Sequence, residues 1–334
     1  MSRFFISETI TKGTDAGNKA RNDMEVIFKD IMKYTPLYLY RNKQKCGGKI
    51  NRIIYIYDFY NEVLKKTNID DLICVQYPLQ TGYNWFIPYL TKHRKILFLI
   101  HDLNDLREEN YSKEEIKRFF NAAYVISHNE CMSRYLIEQG VDSNKIVNLE
   151  LFDYLVKRTI SNNHSNDENF VCYAGNLSKS KFIYSLPSNL TQLGFNVYGN
   201  FFDEDREHEL IYKGCFDSEV IHEKLEGKFG LVWDGESCLT CKGPLGNYMK
   251  YNNPHKLSMY MAAGMPVIVW NESAVSKFVK ENEIGFSVNS LDEIVDIYKY
   301  VTPEIYNKLI ENVKKIQVKV NNAEFVKNAL DKCI

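Results

Sequence analysis

The sequence predicts an α/β protein made of two doubly wound, Rossmann-like units, and three observations predict it. Short apolar runs alternate with amphipathic, helix-like segments along most of the chain, the pattern of βαβ units on a parallel sheet. The alternation breaks once, in the polar stretch 157–169 (KRTISNNHSNDEN), and then resumes. With 334 residues, the chain is long for one core and comfortable for two.

The first series reads as strands over residues 3–7, 37–40, 72–76, 95–101, 124–127 and 146–148. Helical periodicity lies between them, over 18–33, 50–65 and 128–139. The second series reads as strands over 170–174, 195–198, 210–213, 229–233, 266–270 and 285–288. Its helices are expected over 220–225, 254–263, 274–281 and 291–300, with one helical tail from about Pro303 to Cys333. The polar stretch marks the boundary between a first domain over 1–156 and a second over 157–312, with a terminal helix expected over 313–334. Doubly wound sheets take ligands at the carboxyl ends of their strands, so two of them place the expected site in a cleft between the units.

Bulk properties exclude several functions. The net charge is −1, which argues against nucleic-acid binding, since that needs a basic face. The cluster Lys92-His93-Arg94-Lys95 reads as a solvated turn before a strand. Eight cysteines are scattered, several inside apolar runs (Cys74, Cys172), as in a reducing compartment. Cys238 and Cys241 form a CxxC without a second pair at zinc spacing, so no metal site is expected. The acidic run Asp203-Glu204-Asp205 reads as a solvated loop. The N-terminal MSRFFISETITKG lacks the apolar core of a signal peptide, and no stretch nears the roughly 18 apolar residues of a membrane span. The expected location is cytoplasmic.

Four segments sit where strands should end. In FGLVWDG…YMKYNNPHKLSMYMAAGMPVIV (from Phe229), a buried strand ends in Asp234-Gly235, and a loop with Gly243, Pro244 and Gly246 follows. The turn Tyr251-Asn252-Asn253-Pro254 then opens a helix carrying His255 and Lys256 in its first turn. Free N–H groups at a helix start beside a lysine suit a diphosphate. Tyr248, Lys250, Asn252, His255 and Lys256 crowd this turn, which favours the phosphate reading over an ordinary surface lysine. In CYAGNLSKSK, Gly175 follows a strand, and Asn176, Lys179 and Lys181 come next. It is not a Walker motif. In FLIHDLNDLR, a strand runs into His101-Asp102, with Asp105 three residues on. An imidazole or carboxylate there can take a proton from an attacking hydroxyl. A capping role for Asp102 or Asn104, with His101 as a satisfied core residue, explains the residues equally well. In TKGTDAGNKAR, Gly13 and Gly17 make a flexible loop that does not fit GxGxxG.

The motifs DAGNKARND, LIHDLNDLR, VISHNECM, LFDYLV, YAGNLSKSKFIY, FGLVWDG and YMKYNNPHKLSMYMAAGMPVIVW run along most of the chain. Through them the chain resembles bacterial β-1,6-galactofuranosyltransferases of surface-polysaccharide assembly. It is more distantly similar to the glucosyltransferases that extend glycans on serine-rich adhesins. The run KYNNPHKLS after FGLVWDG is the most specific.

The resemblance implies a GT-B fold of two facing Rossmann-like domains, with the final helix crossing back to brace the first. It implies a UDP-sugar donor held mainly by the second domain, a glycan acceptor, expected to be lipid-linked, and no metal or other cofactor. Homo-oligomers and peripheral contact with the inner membrane face are further expectations. By carry-over, Asn176, Lys181, Asp234, Tyr248, Lys250, Asn252, His255 and Lys256 line the donor pocket, with Lys179 beside Lys181 able to neutralise a diphosphate. Gly17 closes over the donor sugar, and His101, Asp102 and Asp105 face the acceptor, with Asp102 the first choice of base. Lysines and a helix dipole would stabilise the leaving diphosphate in place of a cation.

Two rivals remain at this stage. A non-catalytic sugar-nucleotide-binding subunit would keep the fold without turnover. A redox Rossmann enzyme needs GxGxxG and a Tyr-x-x-x-Lys helix; the first is absent, and Tyr251 to Lys256 has the wrong spacing.

Overall fold

The computed structural model describes residues 2–8, 16–39, 48–80, 83–108, 114–159, 164, 168–206 and 210–333. The chain divides into two compact units. Unit 1 comprises Met1–Thr11, Arg21–Leu149 and Lys327–Ile334; unit 2 comprises Lys12–Ala20 and Glu150–Val326.

Unit 1 carries β1 (Arg3–Glu8), β2 (Thr35–Leu39), β3 (Leu72–Tyr77), β4 (Lys95–Ile100), β5 (Tyr124–Ser127) and β6 (Ile146–Asn148). They form one parallel sheet in the order β2-β1-β3-β4-β5-β6. Its helices are the body of α1 (Ala16–Val26), then α2 (Gly48–Phe59), α3 (Ile87–His93), α4 (Asn104–Arg107) and α5 (Glu130–Glu138). π-helical turns over Ile27–Ile31 and Tyr60–Leu64 extend α1 and α2, which accounts for the length of the amphipathic runs.

Unit 2 carries β7 (Val171–Ala174), β8 (Phe195–Tyr198), β9 (Ile211–Gly214), β10 (Phe229–Val232), β11 (Val267–Trp270) and β12 (Gly285–Val288). Their order is β12-β11-β10-β7-β8-β9, again all parallel. Its helices are α6 (Ser188–Thr191), α7 (Gly243–Tyr248), α8 (His255–Ala262), α9 (Ser276–Glu281), α10 (Ile294–Tyr300), α11 (Pro303–Asn321) and the start of α12 (Glu324–Asp331). Every residue of β7, β8, β10 and β11 is buried, so these strands show no polar alternation, Asn196 in β8 being the one polar residue among them.

The twelve strands lie on the twelve expected apolar runs, while three local expectations are corrected. The segment expected to loop through Gly243 and Gly246 forms α7, because Pro244 falls in a first helical turn, where its missing N–H costs nothing. Only a 3₁₀ turn, Ile221–Glu223, forms where a helix over 220–225 was expected. The helical tail breaks at Asn322–Ala323, where Ala323 takes φ +58°, and α12 starts afresh. The basic cluster turns at Arg94 just before β4, with Lys92 and Lys95 exposed as expected. Lys92 and His93 end α3, and the Arg94 guanidinium donates to Thr67 Oγ1 (3.0 Å) and to the carbonyls of Thr67 (2.9 Å) and Leu64 (3.2 Å).

The motif LFDYLV supplies brackets inside unit 2. Asp153 is fully buried, and its carboxylate accepts from Phe325 N (3.3 Å) and Val326 N (2.8 Å), capping the first turn of α12. The Tyr154 hydroxyl donates to the Ser218 carbonyl. Lys19, at the start of α1, is buried there too: its ammonium donates to Leu155 O (2.7 Å), pairs with Glu219 (3.3 Å) and lies over the Tyr154 ring.

Candidate functional site

Strand order in unit 2 reverses between β7 and β10, and a crevice opens at the carboxyl ends of strands where that happens. Gly175 and Asn176 follow β7, and Trp233 and Asp234 follow β10. Helix α8 brings Lys256 to this point, and Tyr260 holds α8 in place. Gly230 in β10 is bare because a Cβ there would lie 2.4 Å from the Tyr260 ring. The Tyr260 hydroxyl accepts from Ala174 N (3.0 Å) and donates to Cys172 O (3.3 Å), tying α8 to β7. Lys256 lies four residues earlier on the same helical face, one turn nearer the strand ends.

The Lys256 ammonium donates to Asp234 Oδ2 at 3.1 Å and to Trp233 O at 3.4 Å, and it lies 5.0 Å from the Tyr173 ring centroid. A Cβ on Gly175 would sit 3.0 Å from Lys256 Cε and from the Tyr173 hydroxyl, so this glycine leaves room for the lysine stem. Burial, the largest single influence, works against the charged amine, but Asp234 and Tyr173 together favour it and hold the ammonium above its ordinary pKa. Side-chain exposure is 15% for Lys256 and 28% for Asp234, so the charge is sheltered yet reachable. Pro254 is the residue before the first turn of α8, and no side chain caps that helix start. A cation beside uncapped N–H groups at a switch point is an arrangement that binds phosphate.

The other expected donor residues fall in three places. Asn176 and Lys179 are exposed in the loop after β7, where Asn176 Oδ1 accepts from Ser178 N and Oγ. Lys181 is exposed and pairs with Glu236, just past Asp234, at 3.3 Å. Lys250 pairs instead with Glu272 (2.8 Å) and lies over the Trp270 ring. Tyr248 is 3% exposed, a buried residue of α7. Asn252 Oδ1 is buried and accepts no hydrogen bond. The His255 ring packs against Phe152 with centroids 4.8 Å apart. Gly17 lies in the first turn of α1, and its surroundings fall outside the described residues, as does Gly13.

The structure brings together Asp234 and Lys256 directly, with Lys181 on the same loop through Glu236. Sequence reasoning missed Tyr173, Tyr260 and Glu236. The Lys256–Tyr260 spacing was a legible signal, whereas Tyr173 is one apolar-run residue among many.

In unit 1, His101 and Asp102 follow β4 directly. His101 Nε2 lies 2.8 Å from Gln76 Oε1, and Asp102 forms a 2.8 Å ion pair with Arg107. Asp105 is in α4; its backbone N–H donates to Glu115 Oε2 (2.9 Å), and its carboxylate oxygens are buried. The residue before α4 is Leu103, whose side chain makes no cap bond. His128, from the VISHNECM motif, is buried and donates from Nε2 to Ile100 O (3.0 Å); burial pushes its pKa down to about 4.

A second cluster in unit 1 joins Arg21 to two carboxylates, Glu8 and Glu25, that the sequence did not single out. Glu25 accepts from Ser7 Oγ (2.6 Å) and Glu8 N (3.2 Å), and burial pushes its carboxyl up to about 7. Arg21, 4% exposed, lies 3.6 Å from the Glu8 carboxylate and donates to Pro78 O (2.7 Å) and Gln76 O (3.4 Å). Among the described residues no group of three or more His, Cys, Asp or Glu is placed to hold a metal ion. No described helix is long and apolar enough to cross a membrane.

Comparison with known proteins covers both units. Residues 3–151 match the family model described as glucosyltransferase 3-like, N-terminal domain, and 171–333 match the corresponding C-terminal domain. The β-1,6-galactofuranosyltransferase WbbI of Escherichia coli K12 is 33% identical over 99% of this chain and 98% of its own length. Glucosyltransferase 3 of Streptococcus gordonii is 25% identical over 83% of this chain and 86% of its own. Among solved structures, the lipopolysaccharide outer core galactosyltransferase WaaB superposes with a TM-score of 0.66 at 14% identity, covering 99% of both chains. HepE of Anabaena, solved in complex with UDP, gives 0.61 at 14% identity, covering 99% of this chain and 100% of its own. The fold is that of GT-B glycosyltransferases.

Proposed function

Since the chain belongs to the glucosyltransferase 3-like family of glycosyltransferases, we propose that it transfers galactofuranose from UDP-galactofuranose to a glycan acceptor, inverting the anomeric centre. One observation carries the donor site: the Lys256 ammonium stands at the β7/β10 switch point beside the uncapped start of α8. The sugar assignment leans on the resemblance to WbbI along nearly the whole chain.

In this reading the diphosphate lies at Lys256 and the α8 N–H groups, with Asn176 and Lys181 flanking it. An acceptor oxygen bonds to the anomeric carbon as the bond from that carbon to the phosphate oxygen breaks. UDP departs, its charge met by Lys256, Lys181 and backbone N–H groups without a metal. The acceptor proton goes to the loop after β4, where His101, Asp102 and Asp105 stand. The acceptor is a surface-polysaccharide glycan, taken as lipid-linked at the inner membrane face, and the working form is a homo-oligomer.

A second reading is supported by the glucosyltransferase 3 relatives: glucose from UDP-glucose onto a glycan. Thermal shift against UDP, GDP, CDP and dTDP, followed by product analysis with UDP-galactofuranose, UDP-galactose and UDP-glucose, separates them. Stabilisation by UDP and product from UDP-galactofuranose is the expected result. Product from UDP-glucose alone would replace the donor, and stabilisation by GDP alone would end the reading.

A further inference from the structure

Unit 1 has its own switch point, between β1 and β3. Gln76 is the penultimate residue of β3 at that edge and is 3% exposed. Its carboxamide has two neighbours. Nε2 lies 3.4 Å from the carbonyl oxygen of Arg21, and Oε1 lies 2.8 Å from His101 Nε2. A carbonyl can only accept, so the amide must turn its NH₂ toward Arg21 and its oxygen toward His101. The reverse orientation would set two acceptor oxygens against each other.

The Arg21 side chain is anchored to the same strand end: its guanidinium donates to Gln76 O and Pro78 O and pairs with Glu8. The amide therefore has one orientation, and His101 Nε2 must donate to it. In a neutral imidazole one nitrogen carries the proton and the other the lone pair.

We infer that Gln76 is a positioning residue that locks His101 in the Nε2–H tautomer, so that Nδ1 is the atom that accepts the proton of the attacking hydroxyl. The inference rests on the glycosyl-transfer reading above. In the step, the acceptor oxygen bonds to the anomeric carbon, the bond to the UDP oxygen breaks, and the hydroxyl proton moves to Nδ1. Asp102, the first choice from sequence, is held by Arg107 at 2.8 Å, and an ion-paired carboxylate is a poorer proton acceptor. Among the described residues, the adjacent Asp102 pairs with Arg107 and interacts with the charge of Arg21 from α1, and Asp105 in α4 donates its N–H to Glu115. His128 interacts with the His101 backbone and, with its pKa down at about 4, stays neutral near pH 7.

Two measurements on the full chain test this. Long-range ¹H–¹⁵N spectra at pH 8, with His101 assigned by the signals lost in His101→Gln, read the tautomer without substrate. Nε2–H is expected in the wild type, and a mixture in Gln76→Leu. Transfer from UDP-galactofuranose to an octyl galactoside, followed from pH 5 to 9, reads catalysis. Gln76→Leu should lower kcat about 10- to 100-fold, within the range of general-base catalysis, with the donor KM unchanged. Gln76→Glu keeps an acceptor for Nε2–H; it should recover most of kcat and move the acid limb of the profile up by about one pH unit, as a nearby carboxylate favours imidazolium. An Nδ1–H wild type overturns the inference. So does Gln76→Leu with a wild-type profile, or Gln76→Glu as impaired as Gln76→Leu with no shift. Should Gln76→Leu fail to fold, the wild-type spectrum and Gln76→Glu still decide. If the wild type transfers no hexose from any donor, the functional reading fails, and the tautomer stands or falls on the spectra alone.

Discussion

Replacing Lys256 with Met removes one charge and leaves a stem of similar length between Gly175 and Tyr173. The ammonium lies 3.1 Å from Asp234, so a diphosphate must share or take over an engaged cation. Two unit charges about 3 Å apart attract by about 5 kcal/mol at an effective dielectric of 20. Most of that is offset by desolvating the cation and loosening its contact with Asp234. What remains is a charge-assisted hydrogen bond, about 1.5–3 kcal/mol. That corresponds to a UDP Kd weakened by about 10- to 150-fold. Turnover should fall at least ~10²-fold, since the departing diphosphate carries more charge than the bound one. Fold stability should barely change, because the Lys256–Asp234 pair is partly solvated, and such pairs contribute about 0–1 kcal/mol. Calorimetric titration with UDP beside a thermal melt separates the two effects. A Lys256→Met variant that binds UDP as the wild type does would refute the phosphate assignment. So would a large loss of melting temperature, since it would make Lys256 a structural residue.

Gly230→Ala should destabilise unit 2 by about 1–3 kcal/mol or more, because its Cβ would lie 2.4 Å from the Tyr260 ring; a melt within error of wild type would contradict that packing. Asp153→Ala leaves two buried N–H groups of α12 uncapped and should cost about 1–2 kcal/mol, read as a lower denaturant midpoint with an unchanged slope. Glu25 has its pKa raised by burial to about 7 in the folded chain, so the native state holds this proton more tightly than the unfolded one. Its stabilising contribution is complete below about pH 4.5 and is lost as pH rises through about 7. Glu25→Gln should therefore gain on the wild type in melting temperature between pH 5 and 8; parallel curves for the two would show that Glu25 does not titrate there.

Much of the candidate donor cluster was legible in residue order. Lys256 and Asp234 were named from a lysine in the first turn of a helix and an aspartate at the end of a buried strand, and the fold brings them together. The basic residues around them were harder. Lys181, Lys250 and Lys256 look alike in sequence, yet Lys250 is drawn to Glu272 and Trp270 and Lys181 to Glu236, because partners come from other loops. The helix α7 was missed because its glycines read locally as loop, while Pro244 needed to be seen in a first turn. Gln76 and Glu25 gave no signal, since each is one polar residue whose hydrogen-bond partners stand 17 or more positions away.

The sequence by itself determined the fold class and the strands. Parallel strands covered on both faces must be apolar throughout, and that pattern is written in contiguous residues. It also placed the glycine, aspartate and lysine at strand ends, because each βα turn joins neighbours in the chain. Only the tertiary structure decided strand order, and with it the β7/β10 switch point that brings Gly175, Asp234 and Lys256 together. It alone decided which buried carboxyl keeps its proton and which way the Gln76 amide turns. Those depend on desolvation and on donor–acceptor matching between groups distant in sequence, and no local pattern encodes them.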